Sequence, residues 1–178
     1  MKKIYLSAIL AAGIALSASA QKLEKPIIDK IKGDTVWKTS EERLYTKAGL
    51  LSAEVLHVFV EKVTGAYVLH FRLEIVNGVR VFSVGPDNIV NIKFTDNSVL
   101  DLKPLNSEKF AKRDYYDNGT KAEAIVYFEL SKTDIEILKS KSVSIVRIST
   151  NGAGNLDYEI KPKNSDLIKK DLELILTK

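Results

Sequence analysis

Residues Ala53 to Val76 constrain the fold more than any other stretch, because two runs of alternating residues meet at a single two-residue signal, Thr64-Gly65. With those two residues as a tight turn, Leu56, Val58 and Val60 share a face with Tyr67, Leu69, Phe71, Leu73 and Ile75. His57, Phe59, Glu61, His70, Arg72 and Glu74 fall on the opposite face. A slip of one residue would exchange the two faces, so burial fixes the register. Such a hairpin needs a second apolar layer to cover it.

Ala122 to Ile160 supplies candidate elements for that layer. Ala124, Val126, Phe128 and Leu130 form one face of a strand whose other face still holds Ile125 and Tyr127, which predicts a central strand covered on both sides. Ser131 stands at an N-cap position with Asp134 three residues on, and Ile135 and Leu138 follow at helical spacing, predicting a short helix. Val143 to Ser149 is a β-branched strand, Asn151-Gly152-Ala153-Gly154 tolerates positive φ, and Leu156, Tyr158 and Ile160 alternate with polar residues. Beyond Pro162, an Asn164-Ser165-Asp166 cap introduces a terminal helix with an Ile168, Leu172 and Ile175 stripe, lysines and acids being placed opposite.

Elsewhere the pattern is shorter. Leu23 to Gly33, with Pro26 early and glycine last, predicts one or two helical turns, and Asp34 to Lys47 predicts a short hairpin around Thr39 to Glu42. Asn77-Gly78 and Gly85-Pro86-Asp87-Asn88 are turn signals. For Ile89 to Leu102, a three-residue Asp96-Asn97-Ser98 loop sets Phe94 opposite Leu100 and Ile92 opposite Leu102. Pro104 ends that hairpin, and Asn106 to Lys121 is the least regular stretch.

Lys2 and Lys3, an apolar run from Ile4 to Leu16 and the small residues Ser17-Ala18-Ser19-Ala20 have the form of a secretory signal peptide over residues 1–20. The run is short of the ~20 residues that span a bilayer, and no later segment approaches that length. The expected organisation is therefore a leader, 1–20, and one globular domain, 21–178, exported to the periplasm or outside the cell. Without Lys2 and Lys3 the 27 basic groups become 25 against 23 acidic, and no basic cluster with interleaved aromatics remains, so nucleic acid is not an expected partner. The absence of cysteine removes disulfides, thiolate metal sites, cysteine nucleophiles and a lipidated cysteine. A domain of about 158 residues buries roughly 70% of its unfolded surface, enough for a core without staples.

No Gly-x-Ser-x-Gly elbow, His-Glu-x-x-His helix, phosphate-cradling loop or dinucleotide fingerprint occurs, so no catalytic residue and no cofactor is assigned. His57 and His70 are diagonal neighbours on one hairpin face, but Arg72 directly opposite His57 argues against a metal there. Asp114, Asn118 and Gly119 match part of a calcium-loop spacing; Tyr116 and Ile125 occupy positions that need oxygen ligands, and the match fails. Asn118-Gly119-Thr120 fits the N-glycosylation pattern, a three-residue match that chance supplies readily. The candidate contact residues are Lys112, Arg113, Tyr115 and Tyr116, expected on a loop at the sheet end, and Trp37, the single tryptophan. Tyrosine offers broad contact area with little entropy to lose; the alternative is that these aromatics merely close over the sheet end or the core edge.

The run Ile92 to Leu102, the run Tyr127 to Leu138 with its capped helix, and a strand ending in Arg147-Ile148 resemble small exported β-rich proteins of Bacteroidetes-type bacteria. The resemblance covers about the second half of the chain after the leader and implies an envelope address rather than an activity. Asp34-Thr35-Val36 similarly resembles a short O-glycosylation acceptor of such proteins. The expected fold is mainly β, of the α+β class, an antiparallel sandwich or curled sheet with a short inserted helix and a C-terminal helix packed on it. The expected function is non-enzymatic binding of an envelope protein or glycan. The alternative is a glycan hydrolase using a carboxylate pair, which needs no local motif.

Overall fold

The computed structural model describes residues 21–28, 34–77, 82–105, 109–110, 112–116 and 119–178, and between 109 and 120 it describes the backbone only. In chain order the strands are β1 (Ile27–Ile28), β2 (Thr35–Lys38), β3 (Glu42–Ala48), β4 (Ala53–Val63), β5 (Ala66–Val76), β6 (Ser83–Val84), β7 (Val90–Phe94) and β8 (Val99–Leu102). They continue with β9 (Lys109–Phe110), β10 (Lys112–Tyr116), β11 (Gly119–Glu129), β12 (Val143–Thr150) and β13 (Gly154–Glu159). The helices are α1 (Lys132–Ser140) and α2 (Leu167–Ile175).

The β4–β5 hairpin has the register that its alternation dictates. Val63 pairs with Ala66 across Thr64 and Gly65, whose φ angles of 47° and 86° give the turn that matches strand twist. Leu56, Val58 and Val60 face Leu73, Phe71 and Leu69, and all six are buried. β11 extends this layer on the β5 side, setting Ala124, Val126 and Phe128 against Leu73, Phe71 and Leu69, with the Phe71 and Phe128 rings edge to face at 6.0 Å. The opposite face of β11 is not covered as expected, since Ile125 remains 40% exposed among the charged groups of the sheet's outer side.

The other edge of β4 departs from the sequence reading. β2 and β3 do not pair with each other as a hairpin; they lie end to end along β4, β2 against Glu61 to Val63 and β3 against Ala53 to Val58. Thr39 makes the join. Its amide donates to Val60 O (3.0 Å), and its hydroxyl accepts from Val60 N (3.0 Å), so a side chain replaces a ladder carbonyl where the strand jogs. The turn that does form a hairpin is Gly49 to Ser52, joining β3 to β4. Residues 23–28 are extended, not helical: Leu23 bridges Thr39, and Ile27 and Ile28 pair with Val36 and Thr35. A helix this short carries an unfavourable nucleus, and β-branched residues suit a sheet edge. The remainder of that predicted helix, 29–33, and the Gly78 turn position lie outside the described residues.

The second layer is the antiparallel sheet β13-β12-β7-β8. Its inward residues Val90, Ile92, Phe94, Val146, Ile148, Leu156 and Tyr158 join the inner face of the larger sheet in one core cluster. The β7–β8 loop is one residue earlier than expected: Ile92 pairs with Leu100 and Val90 with Leu102 across Thr95-Asp96-Asn97. Asn97 takes the left-handed position (φ 67°) and Asp96 accepts from the Ser98 amide at 2.9 Å. The displacement is two residues in pairing, so every side chain keeps its face.

Ser131 and Asp134 form the reciprocal cap of α1, with the Ser131 amide donating to Asp134 Oδ2 at 2.9 Å and the Asp134 amide donating to Ser131 Oγ at 3.1 Å. At α2 the expected cap residues serve tertiary ties instead. Asp166 accepts from Ser142 Oγ at 2.5 Å, and Asn164 Nδ2 donates to the carbonyls of Arg43 and Leu44. Ile168, Leu172 and Ile175 are buried against β4 and α1, each side chain worth about 1.5–3 kcal/mol of transfer free energy. Asp171 lies on this buried stripe, not opposite it. Among the described residues no helix is long and apolar enough to cross a membrane.

Candidate functional site

Two places on the larger sheet concentrate polar chemistry. The first is the outer face of β4, β5 and β11, where pairing sets His57 opposite Arg72 and Glu74 opposite Glu123. Arg72 is the hub. Its guanidinium donates to Glu41 through Nε at 2.8 Å and through Nη2, to Glu74 at 2.9 Å and to Glu123 at 3.4 Å. Lys121 Nζ lies 3.1 Å from both Glu74 and Glu123. His57 Nδ1 lies 2.9 Å from Glu41, yet burial and then the adjacent Arg72 hold its imidazole below its ordinary pKa, so it is neutral at pH 7. Burial alone would raise Glu74, but Lys121 and Arg72 outweigh it and keep that carboxylate ionised. On the same face His70 stacks on Phe59 with ring centroids 4.3 Å apart, and its Nε2 lies 3.0 Å from Glu61, off the line of a well-formed hydrogen bond. Its proximity is the largest influence lowering the Glu61 pKa. Arg72 fills the space between the carboxylates that a cation would need, and among the described residues no group of three or more His, Asp or Glu has metal-site geometry.

The second place is a groove of about 930 Å3 that opens along β3 and continues into another of about 710 Å3. Tyr45, Thr46, Glu159 and Lys161 belong to both parts. One wall is β3, paired only through β4; the other is β13, paired only through β12. Among the described residues, therefore, two strand edges flank one groove with no strand between them. The bulge between Arg43 and Tyr45 turns both Leu44 and Tyr45 toward the interior, where the Tyr45 ring meets Tyr158 at 5.1 Å. Burial, with Glu54 nearby, raises the Tyr45 pKa and keeps its phenol neutral. Asn164 occupies two carbonyls at one end of the β3 edge. At the other end the β3–β4 turn exposes Leu50 and Leu51, 99% and 78% accessible.

The residues singled out from sequence are not brought together. Lys112, Arg113, Tyr115 and Tyr116 lie on β10, a strand rather than a loop, pairing with Glu123, Ala122, Thr120 and Gly119. Charged residues hid the strand period there, and β11 supplied a ladder that local sequence does not announce. β10 ends the sheet at the edge far from β2, in the order β1-β2-β4-β5-β11-β10. Trp37, on β2, is half-buried against the core with Lys178 Nζ 5.4 Å from its ring centroid. Asn118, common to the calcium-like and glycosylation patterns, lies outside the described residues. The groove had one sequence signal, the polar Thr39-Ser40-Glu41-Glu42 run that splits β2 from β3, but nothing in it indicates that β13 lies across from β3. Comparison with protein families, with curated proteins and with solved structures finds no match to this chain.

Proposed function

We propose that the protein is an exported, non-enzymatic binding module of the cell envelope whose groove between β3 and β13 receives an extended polypeptide segment. The observation that carries this reading is the pair of strand edges facing one groove. Unpaired ladder groups favour an incoming strand, whose main chain supplies hydrogen bonds and whose alternate side chains supply selectivity. Leu50 and Leu51, exposed in the turn that follows β3, offer apolar contact beside this edge, and Arg43, Lys161 and Glu159 line the groove with polar groups. Carboxylate-pair hydrolysis has less support. A general acid must hold its proton, and among the described residues the one carboxyl whose pKa is clearly raised, Asp171, is fully buried and does not line the groove.

The test is photocrosslinking in an exporting host. A crosslinker at Thr46 or Lys47 should capture a discrete envelope polypeptide, capture should fail with Leu50→Asp and Leu51→Asp, and a crosslinker at exposed Val99 on β8 should capture nothing comparable. Equal capture from Val99 would remove the groove from consideration. Binding on a glycan array that depends on Lys112 to Tyr116 would return the site to β10.

A further inference from the structure

Asp171 is the least settled polar group among the described residues. It is fully buried on α2, and neither carboxyl oxygen has a hydrogen-bond partner of proper geometry. Leaving a carboxyl in that condition costs free energy that a nearby donor would recover. The groups around it are known. Thr39 comes from the β2–β3 jog and Glu42 from β3, and Gln21 approaches from the start of the described chain; Thr39 and Gln21 favour the ionised form, while Glu42 opposes it. Burial outweighs them all and pushes the carboxyl up to about 8.

Gln21 is the informative neighbour. Its side-chain amide donates to Leu167 O at 2.6 Å, one turn of α2 before Asp171. The next residue is pinned to the sheet: the Lys22 amide donates to Ser40 Oγ at 3.1 Å, and Lys22 O accepts from the Ser40 amide at 2.7 Å. Gln21 is therefore fixed to α2 through its side chain and to the β2–β3 jog through the next residue, and its side-chain amide is near enough to the orphaned carboxyl to favour the ionised form. It is also the residue that follows Ser17-Ala18-Ser19-Ala20.

We propose that Asp171 is the built-in partner of the α-amino group created when the chain is cut between Ala20 and Gln21, so that maturation installs a buried ion pair fastening the new N-terminus to α2. This rests on reading residues 1–20 as a removed leader. Hydrolysis by a leader-processing peptidase consumes one water, breaks the Ala20–Gln21 amide, and leaves a carboxylate on Ala20, a neutral amine on Gln21 and one proton released to solvent. The amine takes the proton of Asp171, giving ammonium and carboxylate with no other reactant. Before the cut the same nitrogen is a neutral amide, and the carboxyl stays protonated. The pairing also opposes cyclisation of an N-terminal glutamine, since the amine and the side-chain amide are held by separate acceptors.

The full chain carrying Ser17→Ile, Ala18→Glu, Ser19→Gly and Ala20→Arg can be purified in mild detergent and cut before Gln21 by a protease specific for that tetrapeptide. Cutting should lower the Asp171 midpoint, followed by carboxyl carbon resonance, by roughly two units, the usual effect of an opposite charge in contact. It should raise the melting temperature at pH 8, and the gain should vanish in Asp171→Asn or when one extra residue precedes Gln21. An unchanged midpoint, or a gain that persists in Asp171→Asn, overturns the pairing. Intact mass of the natural sequence produced in a secreting bacterial host tests the premise separately. A chain still bearing Ala20 would sink the leader reading and this proposal with it, whereas a chain beginning at Gln21 whose Asp171 midpoint is unmoved sinks the pairing alone.

Discussion

The two faces of β4 hold ionisable groups under opposite terms. On the outer face Arg72 serves Glu41, Glu74 and Glu123 and Lys121 serves Glu74 and Glu123, so each of these three carboxylates has a cation within 3.4 Å. On the inner side, beneath α2, Asp171 is buried and, among the described residues, has no cation beside it. Partial burial with a partner keeps a carboxylate charged, while deep burial without one protonates it. The difference gives the two regions opposite dependences on pH, and each can be isolated by substitution.

The largest expected effect is from Arg72→Met, which strips Glu41 of its guanidinium and leaves Glu74 and Glu123 with one lysine between them. Removing one partner from a fully buried pair costs about 3–5 kcal/mol; with 16–30% of these side chains exposed, the expected loss is about 2–4 kcal/mol by urea denaturation at pH 7. A loss below ~1 kcal/mol would class the network with ordinary surface pairs.

Next comes Asp171→Asn in the uncut chain. Because the folded pKa is raised, the unfolded state binds fewer protons between about 4 and 8, and stability falls as pH rises through that window. The amide variant avoids this loss, so it should be more stable than the parent at pH 8, with the advantage shrinking to nothing near pH 4. In the cut chain the sign should reverse, because the variant then lacks the ammonium's partner.

A smaller effect concerns the outer face alone, read in the Asp171→Asn background. Glu61 and Glu74 have folded pKa values below 4.5, so their contribution is present above that value and is lost as the pH falls through their folded pKa values. His57 has a lowered pKa, so acidification below 6.5 also favours the unfolded chain, which takes the proton more readily. The melting temperature of the variant should fall steadily from pH 7 to pH 4, and the parent should show a flatter profile because Asp171 opposes the trend. A parent curve as steep as the variant's would mean that Asp171 is ionised in the fold.

The smallest is Arg147→Ala. Its two hydrogen bonds to Asp157, both 2.6 Å, join exposed side chains across β12 and β13 and should leave the melting temperature unchanged. A fall approaching that of Arg72→Met would show that hydrogen-bond geometry outweighs burial in this protein.

Legibility followed the range of the determining interaction. The Thr64-Gly65 hairpin and the Ser131–Asp134 cap were readable because their causes lie within a few residues. The β7–β8 loop was readable only to its parity, since alternation identifies faces but leaves a shift of two undetected. β10 was missed because its pairing residues belong to β11, and the contact residues assigned to it were expected on a loop for that reason.

By itself the sequence determined which faces of the hairpins are apolar, where α1 starts, and that a cysteine-free chain must rely on its core. Those follow from period, cap chemistry and composition, which are properties of neighbours along the chain. Only the tertiary structure decided that β2 and β3 share one edge of β4, that β3 and β13 flank a groove, and that Asp171 is buried against Gln21. A strand's period fixes where its side chains point but not which strand lies beside it. A carboxyl's charge depends on the dielectric and the partners around it, which distant segments bring together only when the chain folds.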